Sequence, residues 1–579
     1  MTAAAPPGWP AMSIEQAHAI LTAPGMPTEV AEAEIDGRPT PVWKNLPPTL
    51  RDVVQLARAH GDGDFLVHED ERVGFEAFHR AVAALAAELA ARCVAKGDRV
   101  AIVMRNLPEW AAAFYATVSL GAIATPLNAW WAGPELEYAL NDCGARVLIA
   151  DGPRFERLAD RLSACPALKV VYVARADGAL TDPMASPLEA VIGAPDRWAA
   201  LPERPLPAAE IAPDDPAAIF YTSGTTGRPK GALATHRAIN SNIMALLFNA
   251  ARVFLRRGEA PPTPPRRSTL ISIPFFHVTG CCAVLNPTLF GGGKLTMMRR
   301  WNTVLAFELI ERERVQAAGG VPAIAWQLLE HPARGRYDLS SLQTLSYGGA
   351  PASPELVRRI KAAFPNALPG NGWGMTETCA SVTGISGEDY VNRPESCGVA
   401  VAVSRLQVRD SRDGATVLPP DTVGELWASG PQIVNGYWNN PEATALTFVD
   451  GWVRTGDLAR VDEEGFCYIV DRAKDMLIRG GENIYCIEVE NALYEHPAVM
   501  DAALVGIPHR VLGEEPAAVV TLKPGAQATE AELRAHVAER LAAFKTPVAV
   551  RFLPQGLPRN PQGKILKTEL KALFEEGAP

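Results

Sequence analysis

The sequence lacks the features that mark several common classes of protein. Its nine cysteines are scattered, and no CxxC pair or Cys/His cluster has metal-site spacing, which disfavours a structural zinc protein. Positive charge is in the minority: 55 lysines and arginines stand against 65 aspartates and glutamates, and the net charge of −10 argues against a general nucleic-acid surface. The first residues also lack the basic start and apolar core of a secretory signal. We therefore predict a cytoplasmic protein with reduced, mostly buried thiols.

One uncharged run, residues 110–134, is long enough to cross a bilayer. It is interrupted by Ser119, Gly121, Pro126 and Asn128, which are unusual together in a membrane span. We predict instead a buried helix over residues 109–120, followed by a buried strand over residues 122–127. No transmembrane segment is expected, and peripheral membrane contact stays open.

The chain of 579 residues is too long for one ordinary domain. From about residue 50, amphipathic helices alternate with short β-branched strands, a pattern typical of parallel sheets covered by helices. The character changes near residues 471–474, after which a smaller α/β unit is expected. The predicted fold class is α/β, with an irregular lead-in at 1–49, a large domain at 50–471 and a small domain at 472–579.

Residues 221–231 read Tyr-Thr-Ser-Gly-Thr-Thr-Gly-Arg-Pro-Lys-Gly and form the most informative stretch. Glycine tolerates backbone conformations that expose consecutive N–H groups, and such nests bind anions. Hydroxyl groups add donors for phosphate, and Lys230 adds a compact positive charge. The residues predicted to bind phosphate are Thr222, Ser223, Gly224, Thr225, Thr226, Gly227 and Lys230.

This stretch does not fit the P-loop, which needs Gly-Lys-Ser/Thr opening a helix. Here Pro229 precedes Lys230 and disfavours helix at Arg228, so a Walker-type NTPase is excluded. The stretch resembles the phosphate-binding motif of the adenylate-forming superfamily, which includes acyl-CoA synthetases. Further motifs follow in that family's order as far as residue 567. The resemblance implies that the small C-terminal domain is mobile.

Two of these motifs concern the substrates. The segment Ile273-Pro-Phe-Phe-His-Val-Thr-Gly resembles the aromatic-rich stretch beside the substrate carboxylate, and it implies that His277 lines the junction of acyl pocket and nucleotide. No aspartate lies between Ile271 and Gly280, which disfavours an amino-acid substrate. The turn Ser346-Tyr-Gly-Gly-Ala-Pro resembles backbone that packs against adenine. It places Gly349, Ala350 and Pro351 on the nucleotide side.

Residues 371–378, Asn-Gly-Trp-Gly-Met-Thr-Glu-Thr, form the second strong motif. By resemblance, Trp373 takes a position usually held by tyrosine and stacks on adenine. Thr376 hydrogen-bonds the α-phosphate, and Glu377 binds Mg²⁺ with Thr222 as its partner. The nucleotide-side residues of this motif are Trp373, Gly374, Met375 and Thr376.

The remaining motifs surround the predicted domain boundary. Asp457, in Gly-Trp-Val-Arg-Thr-Gly-Asp-Leu, resembles the carboxylate that accepts both ribose hydroxyls. Residues 470–485 resemble the hinge, and they imply a ribose contact for Arg472, the pivot at Lys474 and a pantetheine channel along Gly480 and Gly481.

The last motif is Pro-Arg-Asn-Pro-Gln-Gly-Lys-Ile-Leu-Lys at residues 558–567. The resemblance implies that Lys564 bridges the substrate carboxylate and the α-phosphate. The family commonly has arginine where this chain has Lys567, a departure that touches no catalytic group of the pattern. The implied catalytic residues are therefore Lys564, Glu377, Thr222 and His277.

The resemblance implies two half-reactions. A carboxylate attacks the α-phosphorus of ATP, with Mg²⁺ as cofactor, and the acyl adenylate then reacts with coenzyme A. The apolar residues around the predicted pocket favour a medium- or long-chain fatty acid. An aryl or cyclic acid, or a carrier protein in place of CoA, are the alternatives. A monomer or a homodimer is expected.

Overall fold

The computed structural model describes residues 8–222, 228–262, 266–349, 353–560 and 563–575. The α/β prediction is confirmed: parallel sheets with covering helices form the larger part of the chain, and a smaller α/β unit follows.

The first sheet has seven strands within the described residues, and it is parallel except for one hairpin. Strands Arg99–Val103, Val147–Asp151 and Val170–Ala174 lie where the β-branched runs predicted them. Such runs are typical of strands covered on both faces. In spatial order the strands are Gly231–Thr235, Pro216–Tyr221, Ile123–Pro126, Arg99–Val103, Val147–Asp151, Val170–Ala174 and Ala185–Pro187.

The second sheet is larger and mixed. Its parallel part runs in the order Asp64–His68, Lys294–Met297, Ser268–Ile271, Ala317–Gly320, Thr344–Gly348 and Leu368–Gly372, with Glu71–Gly74 at the edge. An antiparallel part continues through Thr383–Ser386, Gly398–Ala400, Phe466–Arg472, Trp452–Val461, Gly424–Ser429 and Arg405–Arg409, with Phe448–Val449 beside Trp452–Val461. A short pair, Gly374–Met375 with Ala380–Ser381, lies next to it.

Helices cover both sheets. The predicted buried helix is confirmed as Pro108–Val118, in which all eleven residues are buried, and the predicted strand follows as Ile123–Pro126. Proline in the first turn suits its start because that position needs no N–H donor. The other helices of this part are Ile14–Leu21, Leu50–Ala57, Phe75–Ala91, Gly133–Cys143, Gly152–Phe155, Glu189–Ile192, His236–Arg256, Asn286–Phe290, Thr303–Arg312, Pro322–Glu330, Pro354–Ala363, Glu388–Asn392 and Pro441–Thr447.

Helix His236–Arg256 is, in the described part of the chain, the one helix long and apolar enough to cross a membrane. Most of its length is buried in the protein. Arg256 forms an ion pair with Asp389 at 2.7 Å, and Arg252 donates to the carbonyl of Gly384. Buried arginines with protein partners are typical of a core helix, so the length and composition of this helix are weak evidence for a span.

Within the described residues 8–49, the predicted irregular structure is wrong. Helix Ile14–Leu21 begins with a capping box between Ser13 and Gln16, and strands Val30–Ile35 and Arg38–Trp43 form a hairpin. The abundant prolines make this segment resemble a loop in the sequence. The hairpin turns at Asp36 and Gly37, which are residue types that tolerate positive φ.

The C-terminal unit has its own sheet, made of Glu482–Ile484, Leu477–Arg479, Gly513–Leu522, Val499–His509 and Ala549–Phe552 in the described residues. Helices Cys486–Tyr494, Glu530–Ala538 and Lys567–Glu575 accompany it. The predicted helix over residues 530–544 is shorter than expected and ends at Ala538. The chain passes from the large sheet at Arg472 to this sheet at Leu477.

Candidate active site

A cavity of about 2920 Å³ lies between the large part of the chain and the C-terminal unit. It opens where parallel strands of the large sheet end, the usual place for ligands in open α/β sheets. Most of the predicted site residues within the described ranges line it together: Thr222, Lys230, His277, Gly349, Trp373, Gly374, Met375, Thr376, Glu377, Asp457, Arg472, Lys474 and Lys564.

Other predicted residues lie elsewhere. Gly480 and Gly481 do not line the cavity; both have positive φ, and Gly480 donates its N–H to the carbonyl of Leu512 at 2.8 Å. The predictions for Ser223, Gly224, Thr225, Thr226, Gly227, Ala350 and Pro351 fall outside the described residues.

Hydrogen bonds join the two ends of the predicted phosphate loop, Thr222 and Lys230. Thr222 donates its N–H to the carbonyl of Lys230 at 2.8 Å, and the Lys230 N–H donates to Oγ1 of Thr222 at 3.3 Å. These bonds continue the antiparallel pairing of Pro216–Tyr221 with Gly231–Thr235. The Lys230 ammonium lies 4.4 Å from the ring centroid of Tyr437, a cation–π distance. The lysine is therefore held at the cavity wall.

Glu377 presents a carboxylate that is only 6% exposed. Its Oε1 accepts a hydrogen bond of 2.6 Å from the hydroxyl of Tyr437, and its backbone carbonyl accepts from the N–H of Val434. Burial raises the pKa of Tyr437, and the Glu377 charge raises it further, so the phenol remains a donor. Tyr437 thus touches both Glu377 and Lys230.

Sequence reasoning missed Tyr437. Its only signal is the stretch Asn435-Gly-Tyr-Trp-Asn-Asn, whose turn-forming residues are typical of loops at binding sites. Nothing in that stretch indicates which distant residue the phenol contacts.

Asp457 is 5% exposed and has one hydrogen-bond partner and one ion-pair partner at its carboxylate. The indole N–H of Trp373 donates to Oδ2 at 2.8 Å, and Nε of Arg472 lies 3.2 Å from Oδ1. Arg472 stands opposite Asp457 in the pairing of Trp452–Val461 with Phe466–Arg472. The contact with Trp373 joins two motifs that are 84 positions apart in the chain.

Lys564 enters the cavity on a loop of the C-terminal unit. The loop is fixed by a bond from the Lys564 N–H to Oδ1 of Asn560 and by a bond from Arg559 to the carbonyl of Gly563. Gly563 has a φ of 80°, and a Cβ there would lie 2.6 Å from Cγ2 of Val321 in the large part of the chain. The absence of a side chain at Gly563 permits this close approach.

Burial and, after it, the nearby Arg472 cation lower the pKa of Lys564 to about 8. Among the described residues no carboxylate forms an ion pair with it. The pKa of His277 is lowered to about 3, first because of burial and then because of the Lys564 cation, so this imidazole is neutral near pH 7. The site thus holds a cation with few local counter-charges, an arrangement suited to anionic ligands.

The segment after Arg472 links the two parts of the chain. The N–H of Ala473 donates to the carbonyl of Gly456, and burial lowers the pKa of Lys474. Asp471 accepts from the N–H groups of Arg472 at 2.8 Å and Cys486 at 2.5 Å. One carboxylate therefore binds backbone on both sides of Lys474.

Lys567, the departure from the family pattern, forms an ion pair of 2.8 Å with Glu490. This pair joins the C-terminal helix Lys567–Glu575 to helix Cys486–Tyr494. Lysine at this position is a structural partner, in agreement with its non-catalytic interpretation.

Comparison with known proteins agrees with this geometry. The family model of AMP-binding enzymes matches residues 54–438, and that of the AMP-binding enzyme C-terminal domain matches residues 488–564. Feruloyl-CoA synthase of Amycolatopsis sp is 35% identical over 524 residues, covering 90% of this chain and 98% of that protein. The long-chain-fatty-acid–CoA ligase FadD13 of Mycobacterium tuberculosis is 35% identical over 498 residues, covering 85% and 91%.

Among solved structures, the o-succinylbenzoate CoA synthetase MenE of Bacillus subtilis, in complex with an acyl-adenylate intermediate, superposes with a TM-score of 0.73 at 28% identity. It covers 90% of this chain and 98% of that one. The two family models match the large part of the chain and the C-terminal unit, and residues of both parts line the cavity. The chain belongs to the AMP-binding enzyme family and is an adenylate-forming acid–thiol ligase.

Proposed function

We propose that this ligase activates a medium- or long-chain fatty acid, using ATP and Mg²⁺, and transfers the acyl group to coenzyme A. The observation that carries the proposal is an apolar part of the cavity lining, here called the apolar extension, which helix His236–Arg256 and residues 283–290 provide. On helix His236–Arg256 its wall consists of Ile243, Leu246, Leu247, Ala250 and Phe254. Ala283, Val284, Pro287 and Phe290 add further apolar lining.

The size of the cavity supports a long substrate. Pockets for single small ligands usually measure about 300–1,000 Å³, whereas this cavity measures about 2920 Å³. A volume of this size can hold a long acid beside the nucleotide. An extended alkyl chain fits a wall of aliphatic side chains, and each methylene removed from water contributes about 0.8 kcal/mol.

Glu377 fits a role as a Mg²⁺ ligand. Tyr437 holds one of its carboxylate oxygens at 2.6 Å, and Thr222 lines the same cavity with its hydroxyl. Among the described residues no three His, Cys, Asp or Glu side chains cluster as a metal site. Mg²⁺ commonly takes one or two protein oxygens together with phosphate oxygens and water. Bound there with ATP, it would neutralise phosphate charge.

The first half-reaction brings two anions together, so charge neutralisation is its main requirement. We assign Lys564 to the substrate carboxylate and the α-phosphate, and Lys230 to the β- and γ-phosphates. The carboxylate oxygen attacks the α-phosphorus, the bond to the bridging oxygen breaks, and pyrophosphate leaves with the electron pair. Neutral His277 borders the acyl pocket without adding a competing charge.

The second half-reaction needs a thiol at the carbonyl that Lys564 covers. We propose that the C-terminal unit, residues 472–579, rotates about Lys474 and brings Gly480 and Gly481 to the cavity. The two glycines are outside the cavity in the present arrangement, and the loop carrying Lys564 is inside it. One rotation would exchange them.

The test is ATP-dependent pyrophosphate release across a panel of acids, with and without CoA. The panel contains saturated fatty acids of increasing length, together with 4-coumarate and ferulate. We expect the highest kcat/KM for a fatty acid, and consumption of the acyl adenylate when CoA is added. Higher kcat/KM for the aryl acids would contradict the fatty-acid assignment. An acyl adenylate that CoA does not consume would indicate a carrier-protein acceptor.

A variant makes this test specific to the apolar extension. Ala250→Phe places a ring in its wall, so long fatty acids are expected to lose at least tenfold in kcat/KM while short acids are unaffected. Ala250→Ser preserves the volume and serves as the control. Equal loss for acids of all lengths would show that the alkyl chain does not occupy this part of the cavity.

The second candidate is an aryl or cyclic acid. The Amycolatopsis relative is named a feruloyl-CoA synthase, at the same 35% identity as the fatty-acid ligase of M. tuberculosis. Identity therefore does not choose between them, and the aliphatic side chains that line the cavity favour the alkyl chain.

A further inference from the structure

The indole of Trp373 makes a contact that stacking on adenine does not require. Its Nε1–H donates to Oδ2 of Asp457 at 2.8 Å. We propose that Trp373 is a positioning residue for Asp457, so that recognition of the ribose hydroxyls depends on the indole N–H as well as on the ring surface. This inference rests on the assignment of Asp457 to the ribose.

Both partners are withdrawn from water. Trp373 is 8% exposed and Asp457 is 5% exposed. A buried carboxylate is expensive unless donors satisfy it, and hydrogen bonds to charged groups are among the stronger ones. The indole nitrogen can donate a hydrogen bond but cannot accept one, so its partner in this contact must be an acceptor such as the carboxylate. In this contact the indole is therefore always the donor and Asp457 is always the acceptor.

The donors around Asp457 also determine what remains for a ligand. An ionised carboxylate offers about four acceptor positions. Trp373 uses one on Oδ2 at 2.8 Å, and Arg472 forms an ion pair with Oδ1 at 3.2 Å. About three positions remain, with at least one on each oxygen, which is enough for a ligand with two adjacent hydroxyl groups. Holding both oxygens in place orients the carboxylate toward a vicinal diol.

Trp373 is itself rigidly fixed, as a positioning residue must be. Its backbone N–H donates to Oγ1 of Thr383 at 3.1 Å, and its backbone carbonyl accepts from the N–H groups of Val382 and Thr383. Next to it, a Cβ on Gly374 would lie 1.5 Å from the carbonyl oxygen of Ala380, so the backbone packs tightly there. The indole thus has little freedom to leave Asp457.

The experiment compares ATP with 3′-deoxy-ATP in the pyrophosphate-release assay. Wild type is expected to prefer ATP by about tenfold or more, in the range of a hydrogen bond to a charged group. Trp373→Phe keeps an aromatic face and removes the donor. It should reduce kcat/KM for ATP much more than for 3′-deoxy-ATP, so that the preference falls to about threefold or less.

Asp457→Ala provides the reference, because it removes the ribose contact directly. If Trp373 acts through Asp457, the double variant should show no further loss of preference beyond Asp457→Ala alone. A role in stacking alone would reduce both nucleotides equally in Trp373→Phe and leave the preference intact, which would overturn the inference. A wild type without any preference for ATP would overturn it as well. Thermal unfolding of each variant checks that the fold persists.

A second readout needs no acid substrate. Calorimetric binding of AMP and 3′-deoxy-AMP to the same variants measures ribose recognition alone. If wild type releases no pyrophosphate with any acid, the proposed function fails, while the AMP preference still decides the role of Trp373. Loss of that preference in Trp373→Phe supports positioning, and retention contradicts it.

Discussion

At the scale of single residues, Glu377 shows how a carboxylate is kept ready for a cation. It is buried, it faces the cavity, and its protein hydrogen bond comes from the hydroxyl of Tyr437. The same phenol ring lies under the Lys230 ammonium. Tyr437 therefore contacts a negative group through its hydroxyl and a positive group through the face of its ring.

Tyr437→Phe tests this arrangement. The ring and its contact with Lys230 remain, but Glu377 loses a hydrogen bond to a charged group, worth about 1.5–3 kcal/mol. We expect the Mg²⁺ concentration for half-maximal pyrophosphate release to rise about tenfold, with little change in thermal stability. Tyr468→Phe removes another phenol that lines the cavity and serves as the control. An unchanged Mg²⁺ requirement would contradict a role for Tyr437 at the metal.

Asp471 gives a prediction about pH. Burial raises its pKa to about 7, although Lys567 and two N–H donors act in the opposite direction. The folded protein therefore binds this proton more tightly than the unfolded chain between about pH 4 and pH 7, and its contribution to stability falls as pH rises through that window. Above pH 7 the contribution is constant.

Asp471→Asn removes this titration. Urea unfolding of both proteins at pH 5, 6, 7 and 8 measures the difference between their free energies of unfolding. We expect wild type to lose stability relative to the variant as pH rises to about 7, with no further change at pH 8. A difference independent of pH would show that Asp471 is ionised throughout.

The sequence predicted the places of the chemical groups better than it predicted their partners. Thr222, Glu377, Asp457 and Lys564 lie in local motifs, and the structure brings all four to one cavity. The contact of Glu377 with Tyr437 joins residues that are distant in the sequence, and no local pattern predicts which distant residues meet. The same is true of the indole bond to Asp457, which spans 84 positions.

At the scale of elements, the loop of Gly563 and Lys564 is the part of the C-terminal unit that reaches into the cavity. Its entry depends on the absence of a side chain at Gly563, because a Cβ would lie 2.6 Å from Val321. Substitution should therefore hold the loop away from the large part of the chain and leave the rest of the unit folded.

Gly563→Ala is expected to slow pyrophosphate release at least tenfold and to spare the reaction of supplied acyl adenylate with CoA. Gly525→Ala is the matched control, since Gly525 also has a positive φ, 78°, but no atom lies within 4 Å of its Cβ position. The control shares the backbone strain without the contact. Equal effects of the two substitutions would attribute the loss to strain alone.

Elements differed in how well the sequence predicted them. Strands such as Arg99–Val103 and Val147–Asp151 were predictable, since β-branched runs covered on both faces leave few alternatives. The hairpin Val30–Ile35 with Arg38–Trp43 was not, because its prolines resemble a loop until pairing is known. Helix His236–Arg256 buries arginines whose partners, Asp389 and the Gly384 carbonyl, are more than 130 positions away.

At the scale of the whole molecule, the two half-reactions should be separable by one residue. Lys564→Ala removes the cation assigned to the reacting oxygens, and loss of such a preorganised group costs roughly 10²–10³ in rate. We expect that loss in pyrophosphate release, and near-normal formation of the thioester from supplied acyl adenylate and CoA. Lys169→Ala, at an exposed position, is the control. Equal loss in both half-reactions would contradict the assignment.

The lowered pKa of Lys564 has a consequence for the timing of catalysis. With the C-terminal unit in place and no ligand bound, this ammonium is held on the order of 3–4 kcal/mol less favourably than in water, at about 1.4 kcal/mol per pKa unit. A carboxylate and a triphosphate remove that penalty, so the substrates themselves admit the lysine. Departure of pyrophosphate takes much of the negative charge away and restores the penalty. We therefore expect the first step to favour withdrawal of the lysine, which would open the site to the thiol.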